Sequence, residues 1–196
     1  MNSKFLPGAV LFMIAFVLSN LGSLAQVKAQ ANTFYGDGAG YHTTTGQFNS
    51  GFGYQALYLN YTGNNNTAVG IYALYHNEDG NFNTATGAGA LGANTGNNNT
   101  ATGYQALTLN TTGNSNTASG YQALLSNSTG HHNTASGFYG LKANTTGNYN
   151  TVSGEEALYS NTTGNNNTAS GSAALYDNTI GNQNTATGAS ALFSNT

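Results

Sequence analysis

From Asn32 onward the chain returns again and again to the same phrase. A unit opening on Asn recurs at Asn49, Asn66, Asn83, Asn99, Asn116, Asn133, Asn150, Asn167 and Asn184, at intervals of seventeen residues, except that the unit starting at Asn83 has sixteen. A fixed period of this length means one small structural unit stacked on copies of itself. The units are coils 1 to 10, and the consensus N-T-A-[TSV]-G-x-x-A-L-x-x-N-T-T-G-N-x defines positions 1 to 17 within each.

The opening N-T-A-T-G alternates with period two and predicts a strand, with Ala and Gly turned inward and Thr or Ser outward. The x-x-A-L-x-x piece predicts a second strand, or a bent one, carrying the Leu. N-T-T-G-N is turn chemistry, since Gly takes positive φ cheaply and Asn and Thr bond to nearby backbone. Two Gly and several β-branched or Asn positions per unit leave no run of good helix formers.

One unit cannot stand alone. Fixing its backbone costs roughly 1–2 kcal/mol per residue, while one Leu and small Ala side chains return only a few kcal/mol. Stacking at ~4.8 Å per coil lets each strand bond to its counterparts above and below. Like residues then form ladders. A Leu ladder (Leu57, Leu74, Leu91, Leu107, Leu124, Leu141, Leu158, Leu175, Leu192) is the expected core. An Asn ladder (Asn60, Asn77, Asn94, Asn110, Asn127, Asn144, Asn161, Asn178, Asn195) is expected to close the corners through its amides. The expected fold is an all-β parallel β-solenoid (β-roll) of about ten 17-residue coils, a rod on the order of 50 Å long. Coil 1, NTFYGDGAGYHTTTGQF, keeps the Gly positions but lacks the Leu, as a capping coil would.

The first thirty-one residues differ from all that follows. Lys4 supplies a basic start, FLPGAVLFMIAFVLSNLG an apolar run, and AQVKAQA the small residues of a cleavage site. This is the pattern of a secretory signal peptide. Ala29 and Ala31 fit a cut after Ala31; Ala25 offers another, and an uncleaved membrane anchor is the alternative. The expected organisation is therefore residues 1–31 as signal peptide and 32–196 as one repeat domain, secreted or at the cell surface.

Only 5% of the residues are charged and none is Cys, which excludes disulfides and thiolate metal sites and leaves no basic footprint for nucleic acid. No catalytic constellation is visible, and no metal or cofactor is expected. Adjacent His131 and His132 would point to opposite sides of a strand and read as surface variation at turn positions. Glu78, Asp79, Glu155 and Glu156 read as solvated charges. The Gly-rich phrases lack the Lys-Ser/Thr of a phosphate loop. The sequons at Asn110 and Asn161 follow from turn chemistry.

Two surface ladders carry the candidate sites. The first lies on the opening strand, with two residues from each coil: Thr84 and Thr86, Thr100 and Thr102, Thr117 and Ser119, Thr134 and Ser136, Thr151 and Ser153, Thr168 and Ser170, Thr185 and Thr187. They should form a flat, uncharged two-column grid of hydroxyls and methyls, ~6.6 Å along the strand by ~4.8 Å between coils. Such a grid looks like the ice-binding face of solenoid antifreeze proteins, though Thr and Ser also suit any exposed strand. Ser in four of the ranks makes the grid less regular. The second ladder is aromatic. Tyr58, Tyr75, Tyr159, Tyr176 and Phe193 share one column, and Tyr54, Tyr104, Tyr121 and Phe138 another. These rings are either a partner surface, with another protomer the favoured partner, or a stack along the rod.

The phrases NTAVG at Asn66–Gly70 and NTASG at Asn116–Gly120, with Gly-Asn turns such as Gly164-Asn165, resemble the YadA-like head repeats of trimeric autotransporter adhesins. They are also similar to repeats upstream of self-cleaving chaperone domains in phage-like tail fibres. The adhesin resemblance implies a left-handed parallel β-roll, trimerisation, surface exposure and adhesion to a host or matrix ligand. The resulting expectation is a non-enzymatic structural or adhesive module that self-associates, as a homotrimer or by end-to-end stacking. An ice-binding protein using the Thr-x-Thr/Ser ladder is the alternative.

Overall fold

The computed structural model describes residues 31–195, so the expected signal peptide lies, save its last residue, outside them. Ten strands of three residues each, from β1 (Thr33–Tyr35) to β10 (Thr185–Thr187), make one sheet in chain order. All pairs are parallel, and each strand meets only the coils before and after it. The described residues contain no helix. The protein is a parallel β-solenoid. Registration is position on position: Thr100 faces Thr117, Ala101 faces Ala118 and Thr102 faces Ser119. The sixteen-residue coil 4 keeps that register, with Thr84 on Thr100.

The core is three narrow files. Ala or Val at position 3, Ala or Gly at position 8 and Leu at position 9 are shielded from solvent through the middle of the stack. Leu192, in coil 10, departs from the expected core ladder at 51% exposure, because no further described coil lies over it. In coil 1 the two core roles are exchanged. Phe34 stands at position 3 and Gly40 at position 9, and a Cβ on Gly40 would meet the Phe34 ring. That ring packs on the core from the strand side and fills the space of the missing Leu.

The second strand does not form. Positions 6 to 10 make successive turns, and only isolated bridges, Leu59 to His76 and His76 to Ala93, appear beyond the main sheet. The backbone explains this. Gln122 and Leu124 have φ of 51° and 52°, and the same positions repeat that conformation from coil to coil. A left-handed residue cannot continue a pleated strand, and for Leu it costs ~1–2 kcal/mol. Burying the side chain, worth about 1.5–3 kcal/mol, offsets this. Local bonds close the turns, as from Asn127 N–H to Leu124 O at 3.2 Å. Bonds between coils hold the stack and alternate in direction. In coil 5, Gly103 and Gln105 donate back to Thr86 and Ala88, while Leu107 and Leu109 donate forward to Ala123 and Leu125.

Position 5 also departs from expectation. Gly120 does not face inward: its φ is 139°, and a Cβ there would run into the carbonyl of Gly137 in the next coil. Glycine is needed because backbone lies directly against backbone along the stack.

The corners are built from two buried Asn files. At position 12, Asn127 donates from Nδ2 to Asn110 Oδ1 at 2.7 Å and to Gly130 O at 3.0 Å. At position 1, Asn116 donates from its backbone N–H to Asn99 Oδ1 at 2.9 Å and from Nδ2 to Gly130 O at 2.8 Å. One glycine carbonyl thus gathers both amides of its coil. From Asn49 to Asn178 these Asn side chains have 0% exposure. Burial is tolerable because the amides are satisfied by their counterparts. The expected file at position 12 is present, and the file at position 1 doubles it. Both named sequon residues, Asn110 and Asn161, belong to these buried files.

Candidate functional site

The strand face is the most regular surface of the solenoid. Because side chains alternate along a strand, burying position 3 turns positions 2 and 4 outward. At position 2, Thr84, Thr100, Thr117, Thr134, Thr151, Thr168 and Thr185 are all exposed. At position 4, Thr86, Thr102, Ser119, Ser136, Ser153, Ser170 and Thr187 are exposed as well. The two columns run unbroken through seven consecutive strands.

They are not equivalent, and this departs from a uniform grid of hydroxyls and methyls. The position-2 column is Thr throughout. In the position-4 column Ser119, Ser136, Ser153 and Ser170 fall together in coils 6 to 9, so that stretch keeps the hydroxyl and loses the methyl. Position 4 turns apolar towards coil 1, where Tyr35, Phe52 and Val69 occupy it. Among the described residues, no hydrogen bond ties the fourteen hydroxyls of the seven ranks to the protein, so all face outward uncommitted.

The ring columns stack on themselves. Tyr58 and Tyr75 lie 5.3 Å apart and 1° from parallel; Tyr159 and Tyr176 lie 5.1 Å apart, and Tyr176 and Phe193 5.0 Å. In the other column Tyr104, Tyr121 and Phe138 form one stack at 5.2 Å spacings, while Tyr54 stands apart from them against Tyr72. Residues at position 7 join the columns: Tyr72 sits edge-on to Tyr54 and Tyr75, and Tyr139 edge-on to Tyr121 and Tyr159. Lys142 occupies the ring column itself, its Nζ 3.9 Å from the Tyr139 ring centre and 5.5 Å from that of Tyr159. Tyr72, together with partial burial and Asp37, lifts the phenol of Tyr54 above its ordinary value. Burial, then Glu156, does the same for Tyr176. The stack and the partner surface are thus compatible, since stacking covers ring faces and leaves edges outward.

Both columns are broken at coil 4. Ala88 stands at position 6, where coil 5 has Tyr104, and Gly89 and Gly92 stand at positions 7 and 10, where coil 3 has Tyr72 and Tyr75; rings return to position 10 only at Tyr159.

Three further roles escaped the sequence reading. At position 13 the hydroxyls of Thr95, Thr111, Ser128, Thr145 and Thr162 each donate to the position-13 carbonyl of the next coil. At position 16 a third Asn file runs outside, in which each Oδ1 accepts a backbone N–H from the coil before. His131 is a member of that file: Asn114 N–H donates to its Nδ1 at 2.9 Å, and His131 N–H donates to Asn148 Oδ1 at 2.8 Å. Accepting at Nδ1 places the ring proton on Nε2. His132 stacks on Tyr149 at 4.9 Å. The one signal was the column itself, in which His replaces Asn at a position otherwise held by amides.

Glu78, Asp79 and Glu155 are exposed and Glu156 is half-buried, and no cluster that could hold a metal exists among the described residues. No helix among them is long and apolar enough to cross a membrane. No protein-family model, curated protein or solved structure matches the chain.

Proposed function

We propose that this solenoid is a secreted or cell-surface, non-enzymatic structural module that works by adhesion through its strand face. One observation carries the reading. The position-2 and position-4 hydroxyls persist from coil 4 to coil 10 although they are exposed and bonded to nothing among the described residues. Position 6, exposed from coil 5 to coil 10, varies there through Tyr, Phe, Glu, Ser and Ala. Drift has therefore reached the surface of these coils and spared the strand face throughout, whereas Thr at exposed position 14 holds only from Thr112 to Thr163 and gives way to Ile180. The resemblance to YadA-like head repeats supports the same reading and favours a homotrimer, with the outward ring edges as the contact between protomers.

The regularity of the grid favours ice as a second reading. It is uncharged, in register over seven strands, and has free hydroxyls at every rank. The substitution Thr117→Lys separates the two. An adhesin binds a surface coated with whole matrix extract, loses that binding on substitution, and shows no ice activity as wild type. An ice binder shows thermal hysteresis that falls sharply on the same substitution. Ice shaping by the wild type without matrix binding overturns the adhesive reading. A clean monomer in dilute sedimentation overturns the trimer.

A further inference from the structure

The large apolar side chains left exposed are not spread evenly along the stack. Ten of the eighteen among the described residues fall in coils 1 to 3, residues 32–82, and eight in the seven coils that follow. The excess is not an end effect, because coils 2 and 3 are covered on both sides: Phe52 is 40% exposed, Tyr54 41%, Tyr72 45% and Phe82 60%. Such side chains cost solvation and are seldom gathered without a partner.

Their placement around the coil identifies the partner. Phe52 and Tyr35 stand at position 4 on the strand face, Tyr72 at position 7 in the turns, Tyr61 at position 13, and Phe48 and Phe82 at position 17. These positions lie all round the circuit of one coil. A folded protein docks on one side of a solenoid; a medium that surrounds it meets every side. Tyr and Phe, rather than Leu and Ile, make up most of this set, and Tyr suits a boundary that is apolar on one side and wet on the other. The first three coils hold Asp37, Glu78 and Asp79 and no Lys or Arg, so attraction to anionic headgroups plays no part.

We propose that coils 1 to 3 form an aromatic collar that sits in the interfacial layer of a neutral lipid membrane, with the hydroxyl-bearing coils held clear of it. The assignment is independent of what the strand face binds. The chain has no Trp, which makes a reporter simple to place. Phe52→Trp and Phe82→Trp each put one in the collar, and Phe138→Trp puts one in coil 7 as a control. The full chain carrying each substitution, checked for wild-type circular dichroism, is mixed with phosphatidylcholine vesicles whose acyl chains are brominated. The collar reporters should shift to the blue and be quenched by the bromines, and the control should do neither. Collar emission unchanged by vesicles overturns the proposal even if the protein floats with them. Equal quenching of Phe138→Trp overturns it as well, since the stack would then lie flat on the bilayer. A blue shift that follows protein concentration and ignores bromine assigns the rings to a second copy instead.

Discussion

Threonine does two different jobs in this molecule. At position 13 the hydroxyl of Thr145 is held by the carbonyl of Thr162 at 3.0 Å, and every coil from the one opening at Asn83 to the one opening at Asn150 makes that bond or its Ser version. At position 2 the hydroxyl of Thr117 is exposed and answers to no group among the described residues. Both files look alike as letters. The first is explained by stacking alone, because each member is the partner of the next. The second is kept by something the stack does not supply, whether strand preference or a ligand. A repeated residue in a solenoid therefore says little until its bonds are followed to the neighbouring coil.

The comparison is sharpest where the inward files are cut. Asn127→Ala removes the acceptor of Asn144 Nδ2 and the donor to Asn110 Oδ1. Asn110 Oδ1 is orphaned, Asn144 Nδ2 keeps only its bond to Gly147 O, and a void is left, so stability should fall by about 2–4 kcal/mol in a chemical melt. A loss comparable to an ordinary surface change would mean that water replaces the amide and that the ladder is not what closes the corner. Thr145→Val tests the position-13 file. Its loss should be about 0.5–1 kcal/mol, since Thr162 O keeps backbone N–H donors from Thr145 and Thr146. Thr117→Val, on the strand face, should move stability by less than ~0.5 kcal/mol while altering matrix or ice binding. Equal melting shifts for the two threonines would erase the distinction between them.

The smallest effect belongs to the ring columns. Tyr176 has its phenol raised by burial in the folded state, so the folded protein keeps that proton longer than the unfolded chain. Stability should fall as pH climbs through the ordinary tyrosine range near about 10, and Tyr176→Phe should remove part of that alkaline loss. Identical alkaline melting of the two proteins would show that the stacked phenol is as solvated as a free one.

The sheet, its register, the Leu file and one Asn file were legible because each leaves a period in the letters, and a seventeen-residue period fixes what lies over what. Conformation within the coil was not. Nothing in Y-Q-A-L announces that Gln122 and Leu124 are left-handed, since local preference would put Gly or Asn there. The choice is made by burial of the Leu, a property of the stack. For the same reason Asn116 reads as a unit marker although it is a buried corner, and His131 reads as variation although its Nδ1 takes over an amide's bond. The outward grid is visible as a pattern, but only the bonds between coils separate its free hydroxyls from the tied ones at position 13.

Coil 4 lacks the residue between Thr95 and Gly96, yet Asn94 still reaches Asn77 Oδ1 at 2.9 Å and Gly96 O at 2.9 Å. The span from Asn to Gly at that corner is therefore the joint at which contour length is free to change while every rung stays in line. A shortening nature has made once marks the same joint for lengthening. A foreign peptide spliced between Thr112 and Gly113 would leave the stack as a loop at right angles to its axis, and copies spliced into successive coils would be carried as a row of evenly pitched pendants, turning the solenoid into a graduated mount for whatever is hung from it.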